Sequence, residues 1–202
     1  MRLYQMQDSG NCYKVRLAAH QLGMALELVD VDILKGESRT GDFLAMNPNG
    51  RVPTVEFDDG RTLPESNAIL FYLAEGSALL PDDRMARAQA LQWMFFEQYS
   101  HEPYIAVARF WQSIKPGGYE EKKDSFPCWH ERGYQALDVM ERHLSSHDWF
   151  AGGQYSIADI ALYAYTHVAH EGGFDLAPYK AIGSWMDRIR SEPGHVPMNW
   201  RL

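Results

Sequence analysis

The sequence predicts a small α/β domain with a mixed sheet, followed by an all-helical domain. Three observations carry this. Strand and helix patterns alternate up to Glu75, the strand pattern disappears from about residue 85, and "GSALLPDD" with Pro81 separates the two stretches. The domains are therefore expected at 1–77 and 85–202.

The elements follow in order. "RLYQM" reads as a short strand, "YKVRLAAHQLG" as a helix closed by Gly23, and "ALELVDVDI" as a second strand, which makes a βαβ unit. A polar stretch, "GESRTGDFLAMNPNG", comes next. "VPTVEF" and "RTLPE" then flank the turn signal Asp59-Gly60 and are expected to pair as an antiparallel hairpin. In "ESNAILFYLAE", Ala68, Ile69, Tyr72 and Leu73 recur at helical spacing. Beyond the linker, "MARAQALQWMFFEQYSHEPYIAVARFWQSI" and "CWHERGYQALDVMERHLSSH" are both helical in period. A cleft between two small domains is a favoured ligand site.

Composition narrows the function classes. The chain is 46% hydrophobic and 23% charged, within the globular range. Lys and Arg number 19 against 27 Asp and Glu, for a net charge of −8, which disfavours a nucleic-acid partner or a basic membrane binder. "MRLYQMQDSGN" lacks the pattern of a secretory leader, and no long uncharged apolar run occurs, so a cytoplasmic location is expected. Cys12 and Cys128 cannot build a disulfide framework, and no Cys/His spacing suggests zinc. His167 and His170 have close helical spacing but lack an accompanying carboxylate motif, so no metal is expected.

The most informative stretch is "NPNGRVPTVEFDDGRTLPESNAILFYLAE". Pro53 lacks the N–H needed for a ladder bond, so it belongs at an edge or a turn. A cis Val52–Pro53 bond would present the Val52 backbone to a ligand, although only about 5% of X-Pro bonds are cis. Glu65-Ser66 opens a helix. Ser66 can cap it, or the helix N-terminus and the Ser66 hydroxyl can receive a carboxylate while Glu65 receives an ammonium. Carboxylate plus ammonium describes an α-amino-acid head group.

This element order, with Val52-Pro53, Glu65-Ser66 and the later "YSIADIALYAYTHV", resembles the cytosolic glutathione S-transferases, especially bacterial members near the theta and nu classes. The resemblance spans nearly the whole chain. It implies a thioredoxin-like first domain, a cis Val52–Pro53 bond, and glutathione as co-substrate with no further cofactor. It also implies a homodimer. By that resemblance, the Val52 backbone pairs with the cysteinyl amide of glutathione, and Glu65 and Ser66 bind its γ-glutamyl end. Arg51 and Arg39 match positions that contact the tripeptide, Arg39 near the glycyl carboxylate. A solvated loop charge is the alternative for both arginines.

"DSGNCYKVRL" occupies the place where the family stabilises the glutathione thiolate. Ser9 fits the theta-like serine, and Ser9 with Asn11 fits the nu-like pair. A free thiol has a pKa near ~8.5, and hydrogen-bond donors and helix N-termini lower it. Cys12 is the alternative, matching a beta-like cysteine that forms mixed disulfides with glutathione. It also reads as a small buried residue. Gln5 stands where tyrosine-dependent classes place their tyrosine.

The resemblance places Tyr104 and Phe110 on the wall of a hydrophobic co-substrate site, with His101 and Arg109 as weaker polar candidates. Ser156 and Asp159 form a capping-box pattern with a folding role. The expected activity is attack by glutathione thiolate on small hydrophobic electrophiles or peroxides. The alternatives are a glutathione-dependent disulfide reductase or peroxidase, and a non-catalytic glutathione-binding protein.

Overall fold

The computed structural model describes residues 1–201; Leu202 lies outside the described residues. The chain forms two units, one built from residues 1–77 with the segment beginning at Pro193, the other from Ala78–Glu192. The helical domain was expected to run through residue 202. Instead, its closing segment belongs to the first unit.

The first unit runs β1 (Arg2–Gln5), α1 (Gly10–Gln21), β2 (Glu27–Asp30), α2 (Gly41–Met46), β3 (Thr54–Glu56), β4 (Thr62–Pro64) and α3 (Ser66–Ala74). The sheet order is β2-β1-β3-β4, with β1 parallel to β2 and the other pairs antiparallel. This is the expected mixed sheet of a thioredoxin-like domain. Leu3 is central to it, opposite Leu28 on one side and Val55 on the other. Leu3 and Val55 pack with Val15 and Ala19 of α1 and Ile69 and Leu73 of α3, so both helices cover an apolar sheet face.

Two local details go beyond the sequence pattern. The polar stretch contains α2, capped by the Thr40 hydroxyl, which accepts from Phe43 N, and anchored by buried Phe43. In α3 the inward face is Ile69, Leu70, Leu73 and Ala74, while Ala68 and Tyr72 point outward. Nearly every α3 side chain is apolar, so two overlapping faces satisfy the same spacing. The Asp59-Gly60 turn forms as expected: Gly60 has φ +82°, and its amide donates to Phe57 O at 2.9 Å.

The segment after Pro193 is tied to α1 and its preceding loop largely through its own carbonyls. Tyr13 Oη donates to Val196 O at 2.7 Å, Arg16 Nη2 to Met198 O at 2.9 Å, and Gln7 Nε2 to Met198 O at 2.8 Å and Trp200 O at 3.1 Å. Arg16 is buried, and its other contacts go to Gln5 Oε1 and Gln7 O. A buried guanidinium is tolerable only when hydrogen-bonded, so the segment satisfies part of what Arg16 requires.

The second unit is helical apart from its loops and an isolated β-bridge between Ala151 and Gln154. A continuous helical run begins with α4 (Arg84–Phe96), passes through a π-helical turn at Glu97–His101 into α5 (Glu102–Arg109), and ends in another at Phe110–Ile114. Then come α6 (Gly118–Lys122), α7 (Phe126–Leu144), α8 (Ile157–Thr166) and α9 (Lys180–Ser191). Every residue of α8 is buried. Its capping box forms as expected, and Asp159 does more than cap. One carboxylate oxygen accepts from Trp185 Nε1 at 2.9 Å and Phe150 N at 3.2 Å, the other from Ser156 N at 2.9 Å and Ser156 Oγ at 3.0 Å. The carboxylate thus ties α9 and the 150 loop to the start of α8.

Burial pushes the Asp159 carboxyl up to about 6, against donors that favour its ionised form. The folded chain therefore holds this proton more tightly than the unfolded chain. Its contribution to stability is largest below the unfolded value near 3.8 and is lost as pH rises through about 6. Denaturant titrations of wild type and Asp159→Asn are expected to show the wild type losing roughly 3 kcal/mol relative to the variant across that window. A pH-independent difference would contradict it. Ending the chain after Glu192 is expected to destabilise the first unit by roughly 2–4 kcal/mol. Hydrogen exchange of the α1 amides should accelerate accordingly.

Candidate functional site

The strand register gathers the predicted residues at one end of the sheet. Tyr4 pairs with Thr54, and Thr54 with Pro64. The chain leaving β1 toward Ser9, the chain entering β3 through Val52-Pro53, and the chain leaving β4 into Glu65-Ser66 therefore share one sheet edge. Residues far apart in sequence meet because β3 runs antiparallel to both its neighbours.

Ser9 is the N-cap of α1, with extended backbone, and its Oγ accepts from Cys12 N at 3.3 Å. The same hydroxyl also hydrogen-bonds the Cys12 side chain, so its proton must turn from that sulfur to serve a ligand. Cys12 is fully buried, its sulfur accepts from Met6 N at 3.4 Å, and burial pushes its thiol above the ordinary range. That is the environment of an inert structural thiol and disfavours the mixed-disulfide alternative. Gln5 is buried as well, its amide donating to Asp30 Oδ1 at 2.5 Å and its carbonyl accepting from Arg16.

At the start of α3, Glu65 adopts φ 71° and ψ 110°, the one positive φ outside glycine among the described residues. Such a backbone costs on the order of 1–3 kcal/mol, and strained positions cluster at functional sites. Glu65 makes no capping bond and its side chain is exposed. Ser66 is buried. Its Oγ donates to Asn11 Oδ1 at 3.2 Å and accepts from Lys14 Nζ at 3.4 Å, while Lys14 also donates to Asn67 Oδ1 at 3.3 Å. Asn11 and Ser66, assigned from sequence to opposite ends of a ligand, are thus in direct contact. Lys14 was not among the sequence candidates. The signal was a lysine inside the apolar run "CYKVRLAA".

The loop before β3 is built around Asn47, which is buried. Its amide donates to Arg51 O at 2.8 Å and Thr54 Oγ1 at 3.1 Å, and its Oδ1 accepts from Asn49 N at 3.0 Å. This staple encloses the Val52–Pro53 bond, which is cis. Pro53 is buried and Val52 half-buried. Among the described residues nothing hydrogen-bonds to the Val52 amide or carbonyl. Gly50 has φ +62°, and a Cβ there would come within 2.6 Å of Arg39 Nη1 and 2.9 Å of Ser38 O. Arg39 closes the loop by donating to Asn49 O at 2.9 Å, whereas the Arg51 side chain is exposed.

In the second unit Tyr104 and Phe110 are half-buried, and Phe110 packs edge-on against Trp111. His101 and Arg109 do not suit the polar lining suggested for them. His101 is buried with Nε2 2.9 Å from Thr166 Oγ1, and Arg109 is buried with Nε 2.7 Å from Glu171. Both side chains are engaged within the helical packing.

Comparison with known proteins agrees with this architecture. The family model for the glutathione S-transferase N-terminal domain matches residues 1–75, and that for the C-terminal domain matches residues 90–193. A crystal structure of a glutathione S-transferase from Pseudomonas fluorescens Pf-5 is 56% identical, covers 98% of each chain and superposes with a TM-score of 0.95. A glutathione transferase from Burkholderia graminis, solved with two glutathione molecules bound per subunit, is 26% identical over 96% of this chain and 84% of its own, with a TM-score of 0.80. The disulfide-bond oxidoreductase YfcG of Escherichia coli K12 is 31% identical over 91% of this chain and 87% of its own. The chain belongs to the glutathione S-transferase family.

Proposed function

We propose that the protein binds glutathione at the sheet edge and activates it as a thiolate for attack on small hydrophobic electrophiles or peroxides. The observation that carries this reading is the convergence of Ser9, Val52 and Glu65-Ser66 at one edge, closed by the Ser66–Asn11 hydrogen bond. Among the described residues the Val52 amide and carbonyl have no hydrogen-bond partner, which suits pairing with the cysteinyl amide of the tripeptide. The exposed Glu65 carboxylate can take the γ-glutamyl ammonium, and Ser66 at the α3 N-terminus its carboxylate. Arg39 and Arg51 serve the glycyl end, Arg39 from a loop that Gly50 lets it approach closely.

At the sulfur, Ser9 donates its hydroxyl proton, and Asn11 assists. Stabilising the thiolate by two pKa units corresponds to about 2.7 kcal/mol and makes it the main species at pH 7. The thiolate then forms a bond to the electrophilic carbon while the leaving group departs with its electron pair. The protein contributes proximity and charge stabilisation. Tyr104 and Phe110, half-buried in the second unit, are the residues proposed to contact the electrophile. Ser9-Gly10-Asn11, together with a Gln5 turned into the packing, supports a theta- or nu-like member.

A second reading is favoured by the relative named as a disulfide-bond oxidoreductase. In it the same thiolate attacks a disulfide sulfur, the original S–S bond breaks and the other sulfur leaves as a thiolate, with glutathione rather than Cys12 as the attacking thiol. Turnover of an aryl halide, a hydroperoxide and a mixed disulfide separates the readings, and exclusive use of the disulfide would replace the first with the second. We further propose a homodimeric cytoplasmic enzyme. Exposed Tyr72, Phe95 and Tyr99 support self-association, and two free cysteines are compatible with a reducing compartment. Light scattering at micromolar concentration is expected to give twice the chain mass.

Ser9→Ala is expected to move the pKa of bound glutathione back toward ~8.5, as followed by thiolate ultraviolet absorbance. Loss of the N-cap should cost about 1 kcal/mol of stability. An unchanged thiol pKa with that stability loss would reduce Ser9 to a cap. Glu65→Gly should raise stability by about 1 kcal/mol by relieving the positive φ, and weaken glutathione binding at least tenfold. Calorimetry reads both effects, and unaltered affinity would remove Glu65 from the site.

A further inference from the structure

Lys14 is 0% exposed in the middle of α1. A buried ammonium is strongly disfavoured unless its N–H groups are satisfied, and a side chain needed only for packing there could be methionine or leucine. Two of its contacts go to the first residues of α3, at 3.4 Å to Ser66 Oγ and 3.3 Å to Asn67 Oδ1. Asn11 lies three residues earlier on the same helix face and receives the Ser66 proton at 3.2 Å. The chain of bonds has a fixed direction. An ammonium can only donate, so Ser66 Oγ accepts from Lys14 and gives its single proton to Asn11.

We propose that Lys14 is a positioning residue for the α-carboxylate of glutathione, acting through Ser66 and coupling that end of the ligand to Asn11. The inference rests on the assignment of Glu65 and Ser66 to the γ-glutamyl group. A carboxylate brings only acceptors, so Ser66 must turn its proton from Asn11 to the ligand. Lys14 holds Ser66 Oγ in place through that turn and places positive charge behind the incoming anion. Loss of the Ser66–Asn11 bond changes the hydrogen bonding of the Asn11 amide, two residues from Ser9. Carboxylate recognition at one end of the tripeptide is thereby felt at the other.

The test compares glutathione with γ-aminobutyryl-cysteinyl-glycine, which keeps the ammonium and lacks the α-carboxylate. Affinities are measured by calorimetry on wild type, Lys14→Gln and Lys14→Arg. Lys14→Gln is expected to weaken glutathione binding about tenfold or more, to change affinity for the analogue less than about twofold, and to raise the bound glutathione thiol pKa; Lys14→Arg should restore most of the affinity. Equal loss for both peptides, or no loss for glutathione, overturns the role of Lys14. Should Lys14→Gln fail to fold, Lys14→Met carries the same comparison, with analogue affinity as its internal control. A wild type that does not distinguish the two peptides overturns the glutathione assignment itself, an outcome separate from loss of the Lys14 effect alone.

Discussion

The hydrogen bond from Ser66 Oγ to Asn11 Oδ1 joins the amino-terminal ends of α1 and α3, and much of the first unit is arranged so that these ends can meet. Both helices lie on one apolar sheet face, packed through Val15, Ala19, Ile69 and Leu73. The antiparallel return of β3 and β4 brings residue 65 back to the edge where β1 ends. Had the hairpin register slipped by one residue, each strand's inward and outward side chains would exchange faces, and the α3 start would be displaced with them. A convergent polar site thus depends on an apolar core that contains none of its residues.

The second unit uses polar groups differently. Asp159 meets four donors in a fully buried setting and connects three segments, a structural use of a carboxylate with no reacting partner nearby. Buried His101 and Arg109 are likewise committed to Thr166 and Glu171. In the first unit, by contrast, the exposed Glu65 carboxylate and the unbonded Val52 backbone sit beside buried, satisfied supports such as Asn47. Rigid satisfied groups behind open ones are the arrangement that the proposed glutathione site would use.

Much of this was legible in sequence, and what was missed has identifiable causes. Alternating strands, the Asp59-Gly60 turn, Pro53 and the Ser156-x-x-Asp159 cap each carry chemistry that only one local conformation uses well. Helix α2 was overlooked because Phe43 is its one buried residue, too few for a periodic signal. The inward face of α3 could not be singled out because its side chains are apolar nearly all round. Lys14 and Arg16 escaped because periodicity assigns charges to solvent, and only the fold reveals their neighbours. The segment after Pro193 is largely held by backbone carbonyls, which every residue possesses, so its side chains gave little sign of where it binds.

That last feature bears on how the protein is made. A ribosome delivers β1 and α1 first, yet Arg16 meets one of its acceptors only when Met198 has been synthesised. The intervening helical unit, continuous in sequence, can close earlier. The thioredoxin-like unit, although encoded first, is thus finished last, and a nascent chain carries an incompletely partnered guanidinium through most of its translation.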